Sequence, residues 1–504
     1  MKNIKTVATV LVIAGAISLP IACGSPTNGT CEETSSCAGS TDGGSEGGSS
    51  SGDGGGDVVQ PPLGCDASAD VKDAPKCVVD EFGVFVDAAA GSDANAGTRG
   101  SPVKSIGAAL GKLGGKSRVY VCEGTYAEHV KLTASVGVFG GFACGTWSYA
   151  GTKPKVTPSD AGFALEIAGV KGDVRLTDLA FVATKATELG QSSVAVFVHD
   201  ASNVLVLRSD LTASAAKEGA DGAPGTTGTI TAVTGGGALN ATGYPASGTT
   251  AGTVKTCTCS SGGVSAGGAG GGPLGAGAPG TPNVGGVAPT DGVGGQGNTN
   301  CGAAEPNGSG NTGADASKAA DATKATALGA LDATGWKPQA GADGSPGTPG
   351  QGGGGGGGRD ATSAGGGGAC GGCGGTGGKA GAGGGASVAL LSFNSTVVLR
   401  ASTLTSNAAG HGGAGGAKGP GAGGGTGGGS LGGCGAGDGG KGGDGGTGGG
   451  GAGGISAAVL HKGPAPTNDA ATLTPGAKGA MGTGGTPASN DGPDGQSGDV
   501  VALP

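Results

Sequence analysis

The chain has 504 residues, 126 of them Gly, with 3% aromatic and 13% charged residues and a formal net charge of -9. Large side chains supply most of the burial energy of a core, and every aromatic except Tyr244, Trp336 and Phe393 lies between Phe82 and Phe197. A conventional apolar core is therefore expected only in the first part of the chain. The acidic balance and the lack of any Lys/Arg cluster exclude the basic footprint that a nucleic-acid partner requires.

Lys2 and Lys5 precede an apolar stretch, Thr6 to Leu19, that is too short to span a bilayer. It ends at Leu19-Pro20-Ile21-Ala22-Cys23. This resembles the lipoprotein signal of bacteria, in which a small residue precedes a Cys that is lipidated and becomes the mature N-terminus. That family prefers Leu three residues before the Cys; here Pro20 stands there, and an ordinary secretory signal is the alternative. The resemblance implies loss of residues 1–22, lipid attachment at Cys23 and a membrane partner through that anchor. Gly24, where Asp would resemble an inner-membrane retention signal, implies sorting to the outer membrane or cell surface. Residues 23–64 are poor in apolar side chains and rich in Gly, Ser, Thr and Asp, and read as a flexible tether.

Thirteen Cys are present, and setting Cys23 aside leaves an even number in an exported chain, which favours disulfides over thiol chemistry. Local pairs suggest themselves: Cys31 with Cys37, Cys65 with Cys77 and Cys122 with Cys144. Cys370-Gly-Gly-Cys373 has redox or zinc-knuckle spacing. It lacks a second C-x-x-C and a nearby His, so a disulfide staple is the preferred reading. The pairing of Cys257, Cys259, Cys301, Cys370, Cys373 and Cys434 stays open.

From Val84 the chain turns β-rich. Val84-Phe85-Val86-Asp87, Gly91-Ser92-Asp93-Ala94-Asn95, Ser101-Pro102 and Ser105-Ile106 are followed by Arg118-Val119-Tyr120-Val121-Cys122-Glu123-Gly124-Thr125-Tyr126 and Glu128. This segment resembles the start of pectate-lyase-like right-handed parallel β-helix proteins, in which a short helix caps the solenoid and a strand ending in G-T-Y-x-E begins the coil. In this sequence Ser105 can cap a helix over Ile106–Leu113 whose apolar face carries Ile106, Leu110 and Leu113. Such a helix would cover otherwise templating strand edges.

Short apolar or alternating runs follow, separated by Gly, Asp and Ser. A unit then recurs: Ser193-Val194-Ala195-Val196 to Leu211-Thr212, Ser387-Val388-Ala389-Leu390 to Leu404-Thr405, and a worn copy from Ser456 to Thr474. Recurrence after long interruptions favours stacked repeats over a β-sandwich made of the same strands. The expected fold is all-β: a right-handed parallel β-helix with a cap and first rungs at 65–213 and further rungs at 387–405 and 455–474. Glycine-rich insertions occupy 214–386 and 406–454, and 475–504 is a glycine-rich C-terminal segment with a final strand. Each insertion follows a Leu-Thr strand end, so all should leave at one corner. Asp315 to Ala333 is Ala-rich and could be helical, with Trp336 as an anchor. The three-residue glycine period suits either polyglycine II packing, in which chains bond laterally, or disorder.

Chemistry is sparse. His129, His199, His411 and His461 have no metal-like partner at i+4, and no G-x-S-x-G occurs. His199-Asp200 reads as a solvent-facing turn. Asp173, Asp178, Asp200 and Asp210, with Lys171, Arg175 and Arg208, read as charged solenoid turns, and Glu128 and Glu166 would pair only by accident of register. Gly435 to Asp444 lacks the apolar residue that a calcium nonapeptide needs. No enzyme activity, catalytic residue, cofactor or metal is expected. The expectation is a surface-anchored structural or adhesive lipoprotein, related in composition to bacterial surface proteins with PGRS-like glycine-rich repeats. The alternative is a cell-surface β-helix that binds or degrades polysaccharide.

Overall fold

Runs such as Val194-Ala195-Val196-Phe197-Val198 and Val204-Leu205-Val206-Leu207 are β-branched and aliphatic, and they suit a pleated, buried surface. In the computed structural model, which describes residues 59–235, 238–284, 290–302 and 307–504, they form strands of three parallel sheets. Cys23, Cys31, Cys37 and the tether before Val59 lie outside the described residues. The protein is all-β, with 26% strand and 3% helix.

The first sheet holds Gly83–Val86, Arg118–Cys122, Val136–Phe142, Asp173–Thr177, Asn203–Leu207, Val397–Arg400 and Thr467–Asp469, in that order. The second holds Thr125–Tyr126, Lys155–Val156, Ala180–Val182, Asp210–Thr212, Thr403–Thr405 and Thr472–Thr474. The third holds Val130–Leu132, Leu165–Ala168, Ser193–His199, Ser387–Phe393, Ser456–Lys462 and Ser497–Ala502. From Arg118 onward the chain visits first, second and third sheet in rotation. One row of each sheet enters a shared core: Val119, Val138, Leu176, Val206 and Leu399; Tyr126, Val156, Phe181, Leu211 and Leu404; Val130, Leu165, Val196, Leu390 and Val459.

Two of the passages between sheets are tight and stacked. Between first and second sheet, Asp178, Arg208, Ala401 and Ala470 take φ of 56°, 46°, 49° and 58°. Between third and first, Gly169, Asp200, Asn394 and Gly463 take φ of 66°, 54°, 50° and 97°. The third passage, from second to third sheet, is where the chain departs into the glycine-rich segments, after Thr212, Thr405 and Thr474.

The helix Ile106–Gly111 begins where Ser105 Oγ accepts the Ala108 N–H at 3.1 Å, and Ile106 and Ala109 enter the core. Glu128 accepts the N–H groups of Ile106 and Gly107 at 2.8 and 2.9 Å. Its carboxyl is therefore spent on the helix start, and burial pushes its pKa up against those bonds. Val59, within the expected tether, already donates its N–H to Gly115 O, so ordered contacts begin before Cys65. Residues 67–82 cover the outer face of the first sheet. There Val71 and Val78 pack on Phe85, Tyr120, Phe139, Phe142 and Trp147. Arg208 holds the cover down, reaching both Asp70 and Asp178.

Asp315–Ala333 contains no helix, although Ala favours one. Residues 315–326 are extended, and Gly329–Asp332 pairs with Gly335–Pro338 as a hairpin. The extended stretch donates sideways at every third residue, from Ala316, Ala319 and Ala322 to the carbonyls of Lys441, Asp444 and Thr447. Lateral bonds to a preformed neighbour override weak local propensity. Leu331 and Trp336 of the hairpin pack on Val194, Phe197 and Leu391 outside the third sheet.

Candidate functional site

The open passage is closed by serines. Every third-sheet strand from Ser193 onward begins with Ser, and Ser193, Ser387, Ser456 and Ser497 stand in one register row. The N–H groups of Ser214, Asn407 and Gly476, at the start of the three departures, donate to the hydroxyls of Ser193, Ser387 and Ser456 at 2.9 Å each. The hydroxyls of Ser387, Ser456 and Ser497 donate in turn to the carbonyls of Ser214, Asn407 and Gly476 at 2.8, 2.7 and 2.7 Å. The mouth of each insertion is thus bonded to the strand by which the chain returns.

Beyond that mouth the sheet register continues without side-chain packing. Ala213 N–H bonds to Thr405 O, and the same pairing recurs at Ala216 with Ala408, Gly219 with His411, Gly222 with Ala414 and Gly225 with Ala417. The returning arms do likewise: Gly375 with Gly443, Gly378 with Gly446, Gly381 with Gly449, Gly384 with Ala452 and Ser387 with Ile455. Outgoing and returning arms then join antiparallel, with Gly410, Gly413, Gly416 and Gly419 donating to Gly385, Ala382, Lys379 and Thr376. The period of three is that of a polyproline-II-type helix, which has three residues per turn and no internal hydrogen bonds. Its N–H and C=O groups must be satisfied by neighbours.

Glycine is required by proximity. A Cβ at Gly413 would lie 2.0 Å from the carbonyl oxygen of Ala220. In the buried centre all three faces of the helix are so occupied. Cβ atoms at Gly353, Gly354 and Gly355 would lie 2.0, 2.0 and 1.9 Å from the oxygens of Gly437, Val293 and Ala269. Gly353, Gly354 and Gly355 donate to Ala369, Asn311 and Ala278, and accept from Gly268, Gly437 and Gly295. Each of those partners lies on a different stretch of chain, so the central segment is surrounded on every side. This explains why Gly352–Gly358 has no other residue type.

At the rim, Asp takes over. Asp221, Asp315, Asp321, Asp343 and Asp444 accept the N–H groups of Ala414, Lys441, Thr447, Ala380 and Gly421 at 2.6 to 3.0 Å. Lys318 pairs with Asp321, Lys379 with Asp343 and Lys418 with Asp444. The Lys318 ammonium and then the Thr447 N–H hold the Asp321 pKa down to about 2. Lys418 and then the Gly421 N–H hold Asp444 well below the ordinary range.

Three disulfides cross the bundle: Cys257–Cys370, Cys259–Cys373 and Cys301–Cys434. The two cysteines of C-x-x-C are therefore not bonded to each other. Each half reaches a separate Cys on the strand Thr256–Cys259, and no thiol pair remains for redox or zinc chemistry there. Cys65 bonds to Cys77 of the cover, and Cys122 to Cys144. The last pair lies beside Asp87, a grouping of metal-ligand type whose sulfurs are both oxidised.

Glu166 is engaged by Lys131 at 2.9 Å and His199 at 3.2 Å, and His199 also faces Asp200 at 3.4 Å. Burial works against the Glu166 carboxylate, but hydrogen bonds from Lys131 and His199 outweigh it and lower its pKa. His129 bridges Phe163 O and Asp160. Asp173 accepts from Asn203, and Asp210 pairs with Lys153. Each of these side chains thus has a polar partner within the fold. The bundle's lateral bonding escaped the sequence reading in its extent. The signal was Asp315, Lys318, Asp321 and Lys324, charges recurring every third residue where a helix would favour i,i+4.

Comparison of the chain with protein-family models, with curated proteins and with solved structures finds no match. Among the described residues, no helix is long and apolar enough to cross a membrane.

Proposed function

We propose that this is a surface-anchored display protein: a lipoprotein attached through Cys23, in which a right-handed parallel β-helix of pectate-lyase-like kind carries a rigid polyglycine II bundle as its contact surface. One observation carries the reading. Three glycine-rich segments, divided from one another by strand-forming rungs, depart between the same two sheets and merge into a single hydrogen-bonded body. The strict three-sheet rotation and the common core of the three inner rows support the β-helix. A bundle with its amides satisfied internally, small side chains on its faces and Asp/Lys pairs at its rim is a stiff, hydrated surface. Such a surface suits adhesion or a solvated coat.

Anchoring is tested with Cys23→Ser in whole cells. Wild type is expected in the membrane fraction, with globomycin-sensitive processing and removal by protease shaving. The variant is expected to be released. Release of unaltered wild type would overturn the anchor. Display is tested by attachment of cells that carry either wild type or a chain whose 214–386 and 406–454 insertions are replaced by short turns. Equal attachment would overturn it.

The polysaccharide reading is favoured by one feature, the Asp/Arg groups at Arg118, Asp173 and Arg175 on the first sheet and at Arg208 in the turn that follows it. Arg208 is spent on Asp70 and Asp178, and Asp173 on Asn203. This makes it the lesser reading; retention on an immobilised polysaccharide column would raise it.

A further inference from the structure

Arg118 and Arg175 stand on strands that flank Val136–Phe142, and both are in register with Gly137. A Cβ at 137 would meet the Phe139 ring at 2.4 Å, so glycine lets that ring lie flat between the two arginines. Their guanidinium carbons lie 4.8 and 5.9 Å from its centroid, within cation–π range. Above this floor is a cavity of about 370 Å³, whose walls include Ser68, Ser117, Ser135, Asp173 and both arginines.

Each arginine uses one nitrogen to clip the covering loop. Arg118 Nη2 donates to Ala67 O at 2.6 Å, and Arg175 Nη1 to Ser68 O at 3.4 Å. Each keeps another nitrogen without a partner. Arg118 is only 5% exposed, yet its Nη1 bonds to nothing, and neither does Nε of Arg175. A buried charged donor left unsatisfied is costly and rare. Of the neighbouring carboxylates only Asp70 is ion-paired, with Arg208; Asp173 and Asp66 accept from the neutral Asn203 and Ser68 and keep their charge. Burial lowers the Arg175 pKa; Asp70 opposes this, and the positive charges of Arg118, Arg208 and Arg400 add to it. The local field is thus one that an anion would relieve.

We propose that this notch binds a tetrahedral oxyanion, sulfate or phosphate, held by the guanidinium groups of Arg118 and Arg175 that line it, with the Ser117 and Ser135 hydroxyls beside it. Two guanidinium forks from strands two positions apart match an anion with several acceptor oxygens. The site involves neither Cys23 nor the insertions, so its failure would leave the display reading untouched.

The test is titration calorimetry of the whole chain with inorganic phosphate and inorganic sulfate, and co-sedimentation with vesicles containing phosphatidic acid. Saturable binding of the inorganic anions supports a site for the free ion. Binding confined to the vesicles supports the same site reading a phosphate ester in a headgroup. In either arm Arg175→Gln should weaken binding by about tenfold or more, because a charge-assisted pair is lost. Arg359→Gln, at the distant bundle rim, should not. If Arg175→Gln fails to fold, Arg175→Lys keeps the charge without the fork and should also bind more weakly. No saturable binding in either arm, or equal binding by the folded Arg175 variant, would overturn the proposal.

Discussion

Two glycines separated by ten positions behave oppositely because of what stands where a Cβ would go. At Gly413 the carbonyl of Ala220 is 2.0 Å away, and Gly413 N–H donates to Ala382 O. Neither the backbone nor its neighbour can retreat without breaking lateral bonds. Gly413→Ala is expected to cost on the order of 1–3 kcal/mol by overpacking. At the exposed Gly423 nothing lies within 4 Å of the Cβ position, and its φ is not positive. Gly423→Ala should be neutral or stabilise by up to about 1 kcal/mol through the unfolded chain. Denaturant midpoints of the two variants check this, and equal loss in both would refute the packing account. The sequence shows the glycine period but not this difference, because Gly413 and Gly423 sit in the same kind of Gly/Ala text. The serines are a similar case. Ser193, Ser387 and Ser456 are legible as the first residues of the repeat. Their bonds to Ser214, Asn407 and Gly476 depend on where the insertions leave.

Among elements, the rim segments should be the acid-sensitive ones. Asp321 and Asp444 accept backbone N–H groups and ion-pair with Lys, and their pKa values in the fold are depressed. A depressed carboxylate contributes stability that is present above its unfolded value near 4 and is lost as pH falls through its folded value. For Asp321 that window runs from roughly 4 down to about 2. Protection of the Thr447 amide, taken relative to its intrinsic exchange rate at each pH, should therefore fall across this range. Asp321→Asn should flatten that dependence, whereas an unchanged profile in the variant would remove Asp321 as the cause. The sheets were the more legible elements, since apolar alternation and Leu-Thr strand ends carry over directly into strands and their ends. The Ala-rich 315–326 stretch was not. Its conformation is set by lateral bonds to 441–450, and lateral bonding between backbones leaves no side-chain pattern beyond the spacing of charges. For the same reason the partners of Cys370 and Cys373 could not be read, because the path of the chain from Cys257 to Cys370 is drawn by those same bonds.

For the whole molecule, the insertions are interlocked and not merely adjacent. The returning arm of the second insertion, 434–452, donates to Ala342, Ser345, Thr348, Gln351 and Gly354 of the first. It accepts from Gly313, Ala316, Ala319 and Ala322 on one side and from Gly372, Gly375 and Gly378 on another. Cys301–Cys434 also crosses between the two. The three disulfides of the bundle close chain separations of 113, 114 and 133 residues. Loops of such length confer about 4–5 kcal/mol each in the chain-entropy picture. An isolated glycine helix has no side chains to bury and loses much conformational entropy on ordering, so order in one segment depends on all its neighbours being present. Replacing 407–454 with a short turn should therefore do more than delete one insertion. Amide protection should collapse at Gly353–Gly357 and Gly366–Gly372, which keep their sequence but lose a flank. It should persist at Val194–Val198 and Val204–Leu207, whose bonds run to sheet neighbours and whose side chains lie in apolar clusters. Hydrogen exchange read by mass spectrometry separates the two regions. Retained protection in the glycine segments of the deletion variant would show that the first insertion is a self-sufficient body, and that the three do not form one cooperative unit.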